Sequence, residues 1–357
     1  MKEKFIIKYI KNGQEYTITN KLQYFLHKKR IFNNTSTDYK MGVYDVLKDV
    51  ELIHIKNAHF ENNFKFECYC NKKTIVILEN CTFDCHNVAV DRGCFKFINC
   101  TFNESQTNKV ETWICQEISI KGNGNTKINN LFIENAEKVN LENITIERNL
   151  RIINCDNVNM NNVETTNSFV IDTNECLEIN NSLLESINSR KSIIGKQIKI
   201  KNSKVTGESL NIDCENLTLE GNSKVEAKDT LEFSSPNLKE IRVDDNSHLK
   251  GKNIQFEIHL YKNENGEPFI INKNTINNIW FQRKNLISVL KEIKIKYAKK
   301  IFNKIEEERK EEIKVLNEKE VKKIEIIKKL KEEELLKLNI KLDLKKKYKS
   351  KTRIKNL

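Results

Sequence analysis

Apolar and polar residues alternate in short bursts along this chain, and one burst keeps returning. Val139 and Leu141 flank a polar residue and are followed by Asn143. Val158, Met160 and Asn162 repeat the phrase, as do Leu177, Ile179 and Asn181, then Ile198, Ile200 and Asn202, then Leu217, Leu219 and Gly221. The interval between copies is nearly constant. Two apolar residues separated by one polar residue are a strand signal of period two, and the Asn that follows tolerates left-handed backbone. A strand and a corner at this interval predict one coil of a solenoid. Earlier copies are Ile53, Ile55 and Asn57; Val76, Leu78 and Asn80; Phe95, Phe97 and Asn99; and Ile118, Ile120 and Gly122, while Ile241, Val243 and Asp245 close the series. Ten copies from Ile53 to Ile241 give a mean coil of about 21 residues, within the range of solenoid repeats.

A second strand phase runs eight residues ahead of the first, at Leu131 and Ile133, Leu150 and Ile152, and Phe169 and Ile171. A third apolar cluster follows the corner, as Ile144 and Ile146 or Val163. Three short strands per coil predict a triangular parallel solenoid. At about 4.8 Å per coil, ten coils make a rod of about 50 Å. Such a rod has raw apolar ends, so the flanking segments are expected to cap it. Residues 1–45 read as an N-terminal cap, a hairpin turning at Asn12 and Gly13 followed by a short helix around Leu22, Phe25 and Leu26. Residues 46–261 read as the parallel β-helix. Residues 262–282, with Pro268, Phe269, Trp280 and Phe281, read as a C-terminal cap or linker, and 283–357 as a basic helical or coiled-coil tail.

The run Val76, Leu78, Asn80, Cys81, Thr82 and Phe83 is echoed by Phe97, Asn99, Cys100, Thr101 and Phe102. These phrases resemble the repeats of right-handed parallel β-helix proteins, the pectate-lyase-like group, over about residues 46–260. The resemblance implies a right-handed solenoid in which aligned Asn and small or Cys residues stack in ladders. It is specific for fold and unspecific for function, because that group spans polysaccharide lyases, glycoside hydrolases, tailspikes, adhesins and non-catalytic proteins.

Candidate chemistry is sparse. Asp244 and Asp245 with His248 nearby are the weak catalytic candidates, but they fall where every coil has its turn, and a glycosidase needs two carboxylates held across a cleft. Cys81, Cys85 and His86 are the weak metal candidates, half of a zinc site by type. Cys81 and Cys100 follow successive corner asparagines in the same phase, which favours stacked interior thiols over ligands. No cofactor is expected.

The formal net charge is +12. Residues 283–357 hold 26 Lys+Arg against 13 Asp+Glu, leaving 36 and 37 in the remainder. The body is neutral and the tail is basic, so any acidic partner belongs to the tail. Leu286, Leu290, Ile293, Tyr297, Ile301 and Ile305 keep helical steps there, and no Gly or Pro interrupts them. Lys345, Lys346, Lys347, Lys349, Lys351, Arg353 and Lys355 form a terminal basic cluster able to meet phosphates. The first residues carry no uninterrupted apolar stretch of the secretory kind, and no window suits a membrane span, so a cytoplasmic protein with reduced thiols is expected. The reading is a non-enzymatic scaffold or interaction protein that assembles with a protein partner or with itself through 283–357. A carbohydrate-active enzyme on the β-helix is one alternative. A nucleic-acid or anionic-membrane binder acting through the tail is the other.

Overall fold

Ile53, Val76, Phe95, Ile118 and Val139 stand in register on successive parallel strands, and Val158, Leu177, Ile198, Leu217 and Ile241 continue the column. The copies read from the sequence are therefore the rungs of one ladder. In this computed structural model the described residues are 6–20, 23, 31, 42–68, 73–103, 109–187, 190–256, 259–261, 267–276 and 332. They form a parallel β-solenoid of about nine turns. By contact the chain divides into two units, Met1–Ile279 and Trp280–Leu357, and all strands among the described residues belong to the first. Leu22, Phe25 and Leu26 of the expected short helix, and the basic tail save Glu332, fall outside the described residues.

Each coil contributes three strands. The first face carries the columns just named. The second follows the Asn corner, with Phe60, Phe83 and Phe102 or Leu184, Val205 and Val225 pointing inward. The third holds Phe64, Val88, Val110, Leu131, Leu150 and Phe169 in one inward column. Alternation puts every second side chain inside, and those named are essentially buried. Each such aliphatic or aromatic burial contributes about 1.5–3 kcal/mol, which the coil geometry collects from all three faces. Phe60 stacks on Phe83 at 5.1 Å and Phe83 on Phe102 at 5.2 Å, one ring per coil.

The corners explain the asparagines. Asn57, Asn80, Asn99, Asn143, Asn162, Asn181 and Asn202 all hold φ between 48° and 56°, the left-handed region that Asn enters more readily than branched residues. Their amides also ladder: Asn162 Nδ2 donates to Asn143 Oδ1 at 2.8 Å, and Asn202 Nδ2 to Asn181 Oδ1 at 3.2 Å. At Gly122 a Cβ would come within 2.3 Å of the Asn143 carbonyl oxygen, so glycine alone fits that coil.

Both ends are finished with antiparallel strands. Ile6–Lys11 and Gln14–Ile18 form the hairpin turning at Asn12 and Gly13, and Ile6–Lys11 pairs antiparallel with Val50–Lys56. At the other end His259–Tyr261 pairs antiparallel with Asn253–Phe256, and Phe269–Ile271 with His248–Gly251. Reversed strands there cover sheet edges that would otherwise template further pairing. The parallel pairing begins at Gly42–Asp45, just before the boundary expected at 46.

Candidate functional site

The carboxylates picked out as catalytic candidates are engaged in holding a corner. Asp244 Oδ2 accepts the Gly221 backbone N–H at 2.5 Å, and Oδ1 accepts that of Asn246 at 3.2 Å. Burial pushes this carboxyl up, but donors from Ser247, Gly221 and Asn246 outweigh it and hold its pKa below the usual value. Asp245 pairs with Lys273 at 2.9 Å, and His248 faces Glu226 of the preceding coil at 3.0 Å. The three side chains serve three separate contacts.

The cysteines are interior. Cys81 and Cys85 are buried while His86 is exposed, so strand alternation sends them to opposite sides of the wall and no common metal can reach all three. Among the described residues no group of three or more His, Cys, Asp or Glu is disposed to hold a metal ion. Cys100 Sγ donates to the Leu78 carbonyl at 3.2 Å, and Cys81 Sγ lies 3.5 Å from that of Glu79. Ser182, Ser203, Ser223 and Ser247 occupy the same place after the corner farther along the rod, where the Ser203 hydroxyl donates to the Lys201 carbonyl at 2.7 Å. Burial first, with nearby Asp84 and Glu61, pushes the Cys85 thiol up to about 12, and burial with nearby Asp91 does the same at Cys115.

The outer surfaces of the three faces differ. On the first, charged groups pair from coil to coil: Lys56 with Glu79 at 2.8 Å, Lys121 with Glu142 at 3.1 Å and Lys199 with Glu220 at 3.4 Å, beside a short apolar run at Ile75, Ile77 and Ile98. On the second, the outward positions are mainly Thr, Lys and Glu, as at Thr82, Thr101, Thr145, Glu164, Lys204 and Lys224.

The third face mixes acidic and apolar side chains. One outward row, in register throughout, reads Lys65, Ala89, Glu111, Phe132, Arg151, Val170, Ser192, Asn211, Glu232. The neighbouring row reads Glu67, Asp91, Trp113, Glu134, Ile153, and then Asp172, Ile194, Asp213. Seven carboxylates thus meet two cations, Lys65 and Arg151, across these rows. Lys65 pairs with Glu67, Lys109 with Glu111, Arg92 with Asp91 at 3.8 Å and Arg151 with Glu134 at 3.7 Å. No described Lys or Arg pairs with Asp172. Its pKa is raised, by burial first and then by the charge of Asp213. Those two carboxylates stand two coils apart, roughly 10 Å. Ile194 stands between them in the row. Ile153 is 7% exposed and Glu67 7%, although both point outward by register. Trp113, Phe132, Val170 and Ile194 on the same rows are half-buried.

A family match covers most of the rod: residues 12–260 match proteins of unknown function grouped as DUF3737. The chain belongs to the DUF3737 family. No curated protein and no solved structure matches it. The DUF3737 match takes in all three faces and leaves the basic tail beyond it.

Hydrophobic periodicity reveals the inward columns but not this outer one. The outward rows alternate with strong core signals, so an apolar residue such as Val170 or Ile194 reads as part of the core until the register is known. Lys191 is hidden in the same way. It stands in an inward column between Phe169 and Leu210, is 7% exposed, and its Nζ donates to Ser168 Oγ at 2.9 Å. Burial lowers its pKa.

Proposed function

We propose that this DUF3737 member is a non-enzymatic interaction protein, a β-solenoid whose third face docks a partner. The observation that carries this is the pair of outward rows holding Trp113, Phe132, Ile153, Val170 and Ile194 among carboxylates. An outer wall exposed only to water gains nothing from such residues, whereas an interface core does. Pairing of the polar groups elsewhere supports the same reading, since Asp244, Asp245 and His248 are each tied to a structural contact. Assembly or attachment through 283–357, including the basic cluster from Lys345 to Lys355, is part of the proposal and rests on the sequence. Among the described residues no helix is long and apolar enough to cross a membrane.

The test is affinity capture on the immobilised full chain, comparing the natural sequence with Val170→Lys/Ile194→Lys and with Lys199→Glu on the first face. The reading expects capture to be lost with the third-face variant alone. Equal capture by all three removes the third face from the account. Product released from a panel of polysaccharides would overturn the non-enzymatic reading.

A further inference from the structure

A docking face can be asked what shape and charge it takes. From Glu67 to Asp213 the third face crosses seven coil steps, about 34 Å at the spacing of stacked strands. Apolar side chains and carboxylates alternate along both of its rows, Glu134 standing between Trp113 and Ile153 and Glu111 between Ala89 and Phe132. A complementary ligand is therefore linear, about as long, and carries both apolar and positively charged side chains along its length. That describes an amphipathic basic helix.

The chain encodes such a segment. Residues 283–305 contain eight Lys and Arg against Glu292 as the one acid, with Leu286, Leu290, Ile293, Tyr297 and Ile301 at helical steps. In the helical form that this pattern predicts, the segment extends about 35 Å. Isolated helices of that length are marginal in water and gain their stability from packing the apolar stripe. We propose that the third face of one copy receives segment 283–305 of a second copy. A two-fold arrangement makes the contact twice, which doubles the area buried. This rests on the third-face reading given above and names its partner.

Zero-length carbodiimide cross-linking of the full chain, using an equal mixture of 14N- and 15N-labelled copies, tests it. The expected products join a lysine of 283–305 to Asp172 or Asp213, with mixed-isotope pairs abundant. The same sample should sediment as a dimer. Val170→Lys/Ile194→Lys, and separately Ile293→Glu/Tyr297→Glu in the segment, should each weaken dimerisation at least tenfold and more salt should weaken it further. The second variant leaves the solenoid untouched, so misfolding cannot mimic the result. Same-isotope pairs alone would overturn the second-copy assignment, as would the absence of these cross-links. Persistence of third-face-dependent capture of another protein in that case would leave the docking-face reading standing; loss of both would remove it.

Discussion

Ser182 donates its backbone N–H to the hydroxyl of Ser203 on the next coil at 3.0 Å. That hydroxyl in turn donates to the Lys201 carbonyl at 2.7 Å, and Ser223 receives the Ser203 amide in the same manner at 3.4 Å. The interior corner is thereby satisfied without water, where an unpaired amide would be costly. Replacing Ser203 with Ala leaves the Ser182 amide buried and unpartnered, so Ser203→Ala is expected to lower stability by about 1–3 kcal/mol. Ser203→Cys should cost less, because thiols already fill this place at Cys81 and Cys100. Chemical denaturation decides it, and equal losses for the two variants would break the equivalence.

Ile114 sits at a left-handed corner with φ 51°, where Asn135 and Asn154 hold the corners of the following coils. It is 45% exposed, so its side chain gains little by packing. A branched Cβ in that region costs about 1–2 kcal/mol. Ile114→Asn should therefore raise stability by about 1 kcal/mol, and Asn181→Val should lower it by a similar amount or more, seen as opposite shifts in denaturant midpoint. No gain at Ile114 would mean the strain is relieved some other way.

The interior thiols set a pH dependence. Burial pushes Cys85, Cys115 and Cys214 up to about 12 and Cys155 up to about 11, against an ordinary thiol value near 9.0. Each is then protonated in the fold at pH values where the unfolded chain has already lost the proton. Their contribution is constant below about pH 9 and is lost as pH rises from there toward the folded values. Each thiol steepens the fall by up to about 1.4 kcal/mol per pH unit. Denaturation followed between about pH 7 and pH 10.5 should show a plateau and then a decline that flattens in a Cys85→Ala/Cys214→Ala variant. An unchanged slope would show that these thiols ionise freely in the fold.

Lys191 interrupts an inward column, and its ammonium group donates to the Ser168 hydroxyl. Removing a charge from a dry site is favourable when the replacement fills the same volume. Lys191→Met is expected to stabilise by about 1 kcal/mol in thermal or urea unfolding, and a loss of that size would point to a use for the ammonium group.

Much of this architecture was legible beforehand because stacking multiplies a weak local signal. One apolar pair and one Asn say little, but the chain from Ile53 to Ile241 repeats them at near-constant spacing, and register turns each copy into a rung. The hairpin at Asn12 and Gly13 was legible for a local reason, since that dipeptide fits the turn by itself. The docking face was not. Trp113, Phe132 and Ile194 differ from core residues only in which side of the wall they face, and a one-residue change of phase reverses that. Arg92 and Ile114 at left-handed corners were hidden for a related cause, as neither residue type advertises positive φ.

The claim on which the functional account turns is that the three walls are unequal. A lysine placed at one outward position per wall tests this most directly: Ser119→Lys on the first, Thr145→Lys on the second and Val170→Lys on the third, each followed by sedimentation velocity of the full chain. All three should fold, and association should fall only with Val170→Lys. Equal association in all three variants, or an equal loss from each wall, would contradict the account.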